Sequence, residues 1–128
     1  MNCVGQRHRM SIKILHNVVG IGKSSMGLGQ VALNLAKAQH ELGYQAKIWC
    51  HGDAADVQWA GESTGINRSQ ISLFPSVSIL NFTYSKAMFD AAKSNEEGFH
   101  VIHQHGIWTG CSLVTNALRR RHRMPVLI

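Results

Sequence analysis

Hydrophobic and polar positions along this chain fall into two alternating periods. Ile12-Lys13-Ile14-Leu15-His16-Asn17-Val18-Val19 is a mostly apolar run of strand length, the pattern of a parallel strand covered on both faces. After a glycine-containing loop at 20–27, a helical period runs over 28–42. It puts Leu28, Val31, Ala32, Leu35, Ala38 and Leu42 on one stripe, with Gly43 as the C-terminal stop. Residues 45–50 read as a second strand, followed by the polar loop His51-Gly52-Asp53, while 56–65 show no clear period. Ile71-Ser72-Leu73-Phe74 reads as a short strand before Pro75. Residues 85–94 read as a helix with Ala87, Met88, Ala91 and Ala92 on one side, 100–104 as a strand, 109–121 as a helix, and 125–128 as the start of a further strand. Strands alternating with helices at this spacing predict βαβ units and a mainly parallel α/β sheet.

Composition narrows the class. Apolar residues make up 45% of the 128 positions and charged residues 16%, a balance that builds a buried core and excludes a disordered chain. No apolar run approaches the ~20 residues of a membrane-spanning helix. Residues 1–9 lack the apolar centre of a signal peptide, and Met10-Ser11 stands directly before the first strand. Residues 1–10 therefore read as a disordered extension and 11–128 as one domain. Cys3, Cys50 and Cys111 are widely spaced and form no C-x-x-C pair, which suits a reduced, cytoplasmic protein.

The formal charge of +6 is concentrated in Arg119, Arg120, Arg121 and Arg123, with His122 among them. Cations stabilising the last turn of a helix are the simplest reading. Peripheral contact with an anionic membrane surface is the second. Nucleic acid is set aside, because no aromatic residues interleave with the arginines. The chain stops inside an apolar strand start with no helix to cover it, so the expectation is the front part of a larger protein.

Candidate chemistry gathers in two places. Phe99 to Trp108 is a strand ending in two histidines, a glycine and a tryptophan. His103 and His105 fall on the same strand face, about 6.5 Å apart at ~3.3 Å rise per residue. At the carboxyl end of a parallel strand they project into the crevice where open α/β sheets bind ligands. There His105 faces a ligand as a hydrogen-bonding or acid–base group, with His103 one step deeper. Trp108 is placed to stack on a sugar or to pack, His100 points to the other face, and His16 lies in the core or the site lining.

The second place is the turn Gly20-Ile21-Gly22-Lys23-Ser24. It matches neither a complete P-loop, since Asn17 holds the position of its first glycine, nor G-x-G-x-x-G, since Ser25 holds the last. What remains is a glycine-rich turn between a strand and a helix start, where free N–H groups and the helix dipole attract phosphate. A metal site drawing on His103, His105, His51 or Cys111 is not expected, because H-x-H alone is a weak signature and no carboxylate stands beside it.

These residues together resemble the N-terminal domain of glycosyltransferase family 4, the retaining GT-B enzymes, over nearly all of 11–128. Three segments carry the resemblance: 12–19, the loop and helix 22–43 with Leu35-Ala36, and 101–108 with its H-x-H-G-I-W end. The resemblance implies a Rossmann-like, doubly wound half of a two-domain enzyme, here incomplete. This half holds the acceptor side, a cleft lies between the halves, and the second half grips a nucleotide-diphosphate sugar. It further implies that Gly22, Lys23, Ser24 and Gly27 approach the donor diphosphate, that His105 lies beside the reacting carbon, and that His103 and Trp108 line the substrate side.

No cofactor beyond the nucleotide-sugar co-substrate and no metal is implied. The reaction would move a sugar to a hydroxyl of a glycan or glycolipid with retained configuration, in polysaccharide or glycolipid assembly at or near the inner membrane surface. Two departures stand out: Met26 replaces the first of a common Gly-Gly pair, and His100 stands where aspartate is common. The donor-binding half with its paired glutamates is absent from these residues, so the chain alone is expected to be inactive. A non-catalytic nucleotide- or sugar-binding module is the alternative, and a phosphotransferase built on Gly22-Lys23-Ser24 is a third reading.

Overall fold

The computed structural model describes residues 11–25, 27–79, 82–106 and 110–128. Trp108, Met26 and the extension 1–10 lie outside the described residues. Five strands form one parallel sheet: β1 (Lys13–Gly20), β2 (Gln45–His51), β3 (Ile71–Leu73), β6 (Val101–Gln104) and β7 (Val126–Leu127), in the order β3-β2-β1-β6-β7. The order runs outward from β1 in both directions, so the expected mainly parallel, doubly wound sheet is what the chain builds. Helices α1 (Leu28–Glu41), α2 (Ala54–Thr64), α3 (Lys86–Ser94) and α4 (Cys111–His122) cover it. A short antiparallel pair, β4 (Val77–Ile79) with β5 (Phe82–Tyr84), stands apart from the sheet and was not legible in the sequence.

Alternation along β1 divides the core in two. Leu15 joins Trp49, Phe99 and Ile102 beneath Met88 and Ala92 of α3 and Val114 and Leu118 of α4. Val18 joins Ile21, Ala46 and Ile48 beneath Ala32, Leu33 and Ala36 of α1 and Ala60 of α2. Period two thus sends successive β1 side chains to opposite helix layers. His16 and His103 are direct partners in the β1–β6 register, so both belong to the α1 side.

The face that α1 turns inward differs from the expected stripe. Gly29, Ala32, Leu33 and Ala36 are buried, while Leu28, Val31 and Leu42 are 54%, 49% and 76% exposed. The cause is close approach at the first turn. A Cβ on Gly29 would stand 2.8 Å from the carbonyl oxygen of Gly20, so only glycine lets the helix start lie on the strand end. That contact fixes the helix's rotation and leaves the bulkier residues outside. In α3 the inward pair is Met88 and Ala92, and Ala87 is exposed, against the four-residue side that was expected.

Helix α2 occupies the stretch without a period. It is started by a capping box: Asp53 accepts from the Asp56 backbone N–H, and the Asp56 carboxylate accepts from the Asp53 N–H. Gly65 ends it in the left-handed conformation. No helix among the described residues is long and apolar enough to cross a membrane.

Candidate functional site

In a parallel sheet all carboxyl ends share one rim. The turn after β1 and the histidine segment after β6 therefore lie at the same rim. The His105 backbone N–H donates to the Asn17 carbonyl at 2.9 Å. Beyond it, a Cβ on Gly106 would stand 3.0 Å from Leu28 Cδ1, at the start of α1. The histidine segment thus lies against β1 and the start of α1, at the edge that also carries the turn.

Three imidazoles converge there: His16 from β1, His103 from β6 and His105 just past it. His105 Nε2 lies 2.8 Å from His16 Nδ1, and His16 Nε2 lies 2.6 Å from Gln39 Oε1 on α1. The carboxamide oxygen can only accept, so His16 carries its proton on Nε2 and offers a bare Nδ1. His105 then donates from Nε2 to His16 and keeps the free lone pair on Nδ1. His103 stacks on His105 with ring centroids 4.2 Å apart and planes 22° apart, and lies 5.3 Å from His16.

Burial sets the charge state of this group. His16 is fully buried and His105 is 5% exposed. Desolvation, reinforced by the neighbouring His103 and His16, pushes His105 down to about 4. Burial also lowers His16, against the opposing hydrogen bond to Gln39, and lowers half-buried His103. At neutral pH His105 is uncharged, so it acts through hydrogen bonds and a lone pair.

Gln39 is the member that sequence reasoning missed, and His16 was read only as core or site lining, without its partners. Nothing local marks them: His16 meets His105 only because β6 pairs with β1 across 89 positions. The other proposed ligands fall elsewhere. His51 ends β2 and hydrogen-bonds the Phe74 carbonyl, and Cys111 is buried in the core of the opposite face. His100 is exposed at the start of β6, where its Nδ1 accepts from the Lys13 N–H at 2.9 Å.

The glycine turn is built more tightly than its sequence suggests. Residues 23–25 form a 3-10 turn closed by Ser25 N–H to Gly22 C=O at 2.9 Å. The Asp56 carboxylate packs on Gly22, where a Cβ would clash with its Oδ1. Lys23, Ser24 and Gly27 are exposed, and a Cβ on Gly27 would meet nothing within 4 Å. Gly27 is the N-cap of α1, which has no side-chain cap and no acidic residue in its first turn. Helix α4, after β6, likewise begins at Gly110 without a side-chain cap. By contrast, α2 and α3 are capped by Asp53 and Ser85. The two helices that flank the histidines are thus the ones whose first N–H groups lack a side-chain partner.

A cavity of about 320 Å³ lies at the opposite rim between Lys13, Gln45, Lys47, Gln70 and Glu97. Its polar groups are already spent on one another: Glu97 accepts from Lys47 and Trp49, and Gln70 donates to the Ala36 and Ala46 carbonyls. The carboxyl rim, with its uncapped helix starts and unpaired lone pair, is the chemically open edge.

No curated protein and no solved structure matches this chain. The family model of the glycosyl transferase 4-like domain matches residues 26–128, from the loop before α1 through β7, and so includes His103, His105 and Gly27 but not β1. That match covers most of a chain with the parallel sheet described above, and the chain belongs to the glycosyltransferase 4-like family.

Proposed function

We propose that this domain takes part in moving a sugar from a nucleotide-diphosphate donor to a hydroxyl of a glycan or glycolipid acceptor with retained anomeric configuration. The observation that carries the proposal is the contact between the histidine segment and the start of α1 at one rim. A donor whose phosphates sit at the uncapped α1 N-terminus brings its sugar beside His105. Of the four turn residues expected at the diphosphate, Gly27, Lys23 and Ser24 are exposed to it. Gly22 serves by admitting Asp56.

In this reading the chemistry rests on positioning and on stabilising the departing diphosphate. The helix start supplies N–H groups and positive dipole, and Lys23 supplies charge. Neutral His105, oriented through His16 by Gln39, accepts a hydrogen bond from a hydroxyl of the transferred sugar at Nδ1. His103 flanks the same sugar, and Trp108 follows on the substrate side. Loss of the leaving group places the charge change on the phosphates, not on a metal or a resident cofactor. A carboxylate packed on Gly22 is poor company for a second phosphate site inside the turn, which disfavours the phosphotransferase alternative. Contact with anionic lipid through Arg119, Arg120, Arg121 and Arg123 completes the proposal, because it would bring the domain to a membrane-borne acceptor.

The test is donor-sugar turnover by the protein that carries this domain, with and without His105→Ala. General effects of a positioned side chain run to about 10²–10⁴-fold, so a loss of at least 100-fold in kcat is expected with the circular dichroism spectrum unchanged. Turnover kept within threefold removes His105 from the site. Saturable donor binding with no transfer by the unaltered protein replaces the reading with a binding module.

A further inference from the structure

The group formed by His16, His103 and His105 has a property that sugar transfer does not use. One ligating nitrogen from each ring lies within 4.8 Å of the others, and among the described residues no other set of histidine, cysteine or carboxylate side chains gathers in this way. We infer that these three histidines form a binding site for a divalent transition-metal ion, with zinc as the ion that fits the donors best. The inference stands on side-chain geometry alone and does not depend on the transferase reading.

Three features support it. First, the donor set is chemically uniform: imidazole nitrogens suit zinc, copper and nickel, and three of them leave a tetrahedral ion one open position for water or an oxygen anion. Second, the backbone that carries them is rigid. His103 and His105 are alternate residues at the end of β6, and His16 is the direct partner of His103 on the adjacent strand. Third, the outer support that ligating histidines ordinarily have is already in place: His16 donates Nε2–H to Gln39 Oε1 at 2.6 Å, which leaves Nδ1 directed at the cluster.

The adjustment needed is small. Two nitrogens on one tetrahedral zinc lie about 3.4 Å apart at bond lengths of about 2.0–2.1 Å. The His16 Nδ1 to His105 Nε2 separation of 2.8 Å must open by about half an ångström, and the ion takes the place of the proton those atoms share. His105 keeps its neutral charge by carrying that proton on Nδ1 instead, so the metal-bound form donates from Nδ1 and is distinct from the metal-free form that would accept from a sugar hydroxyl. The His103 side chain is half-buried and makes no hydrogen bond among the described residues, so its ring is free to swing out of the stack and present a nitrogen. The sequence reading set a metal aside because H-x-H alone is a weak signature and no carboxylate stands beside it, so a third imidazole on another strand was not counted. The β1–β6 pairing supplies it.

The test is isothermal titration of the tag-free protein with zinc chloride, after treatment with a chelator and its removal. One ion per chain is expected, with micromolar or tighter affinity. His103→Gln, which breaks no described hydrogen bond, should weaken binding at least tenfold. His16→Gln and His105→Gln should do the same where circular dichroism shows them folded. Gln39→Ala should weaken it by about 10–100-fold, the usual effect of removing an outer partner. His40→Gln, an exposed histidine outside the cluster, should leave affinity unchanged. Cobalt bound in place of zinc should give the intense visible absorption of a tetrahedral site. Binding that survives His103→Gln, or that falls equally in His40→Gln, overturns the inference, as does absence of saturable binding. The cluster is then only a Gln39–His16–His105 hydrogen-bonded relay with His103 stacked beside it.

Discussion

Two imidazoles 2.8 Å apart share one proton comfortably and two badly. The His16–His105 hydrogen bond therefore holds only while at least one ring is neutral. Desolvation lowers all three histidines of the cluster from the ordinary 6.5, and repulsion from neighbouring rings adds to it at His105, which falls to about 4, and at His16. The unfolded chain takes up these protons near pH 6.5, while in the folded chain all three are taken up at lower pH, that of His105 only at about 4. Between those limits the unfolded state binds more protons, so stability rises with pH and is lost as pH falls from about 6.5 towards 4. With chelator present, the urea midpoint is expected to drop from pH 7.5 to pH 5.0. His103→Gln, which removes one of the lowered groups and its repulsion on the others, should shrink that drop. A midpoint equal at the two pH values, or a drop no smaller in the variant, contradicts this account of the cluster. His103 and His105 were legible residue by residue, since period two and a strand's carboxyl end suffice to place them. His16 and Gln39 were not, because their meaning comes from a strand pairing and a helix rotation that no local pattern encodes.

The rotation of α1 is the clearest case in which an element follows packing over pattern. An apolar stripe at helical spacing can be drawn through Leu28, Val31, Ala32, Leu35, Ala38 and Leu42, or through Gly29, Ala32, Leu33 and Ala36, and both contain small and large residues. Glycine at 29 decides between them, because the Gly20 carbonyl leaves no room for a side chain. The two arrangements make opposite predictions. Leu33→Ala should cost about 2–5 kcal/mol, the usual range for emptying a core leucine site. Val31→Ala, at a half-exposed position, should cost well under about 1 kcal/mol. Urea unfolding of the two variants checks this, and a larger loss at Val31 would restore the stripe read from the sequence. Helix α2 was illegible for a different reason. It buries only Ala60, so no hydrophobic period runs along it, and its start is written in two aspartates instead. Strands β1, β2 and β6 were read almost to the residue, because a doubly covered parallel strand is a plain apolar run.

At the scale of the whole molecule the charges and the chemistry occupy opposite rims. Helix α4 starts beside the histidines at the carboxyl rim and runs antiparallel to β6, so Arg119, Arg120 and Arg121 in its last turn, and Arg123 at its left-handed cap, lie at the amino rim. All four are exposed. The same cations satisfy the negative end of the α4 dipole, so their presence alone does not separate helix stabilisation from lipid contact. The two roles part experimentally. A lipid surface should bind the domain through these residues with affinity that grows with the anionic fraction of the vesicles and fades as ionic strength shortens the screening length. It would also hold the histidine rim facing away from the bilayer, towards an acceptor head group extended from the surface. Co-sedimentation with phosphatidylglycerol vesicles is expected at low salt and should be lost in about 0.5 M salt. Replacing Arg120 and Arg121, which make no described ion pair, with glutamine should reduce it several-fold while the urea midpoint moves little. If vesicle binding is absent from the unaltered protein, or if the paired replacement lowers stability and leaves binding untouched, the arginines serve the helix end alone. The domain must then meet its acceptor away from a charged membrane surface.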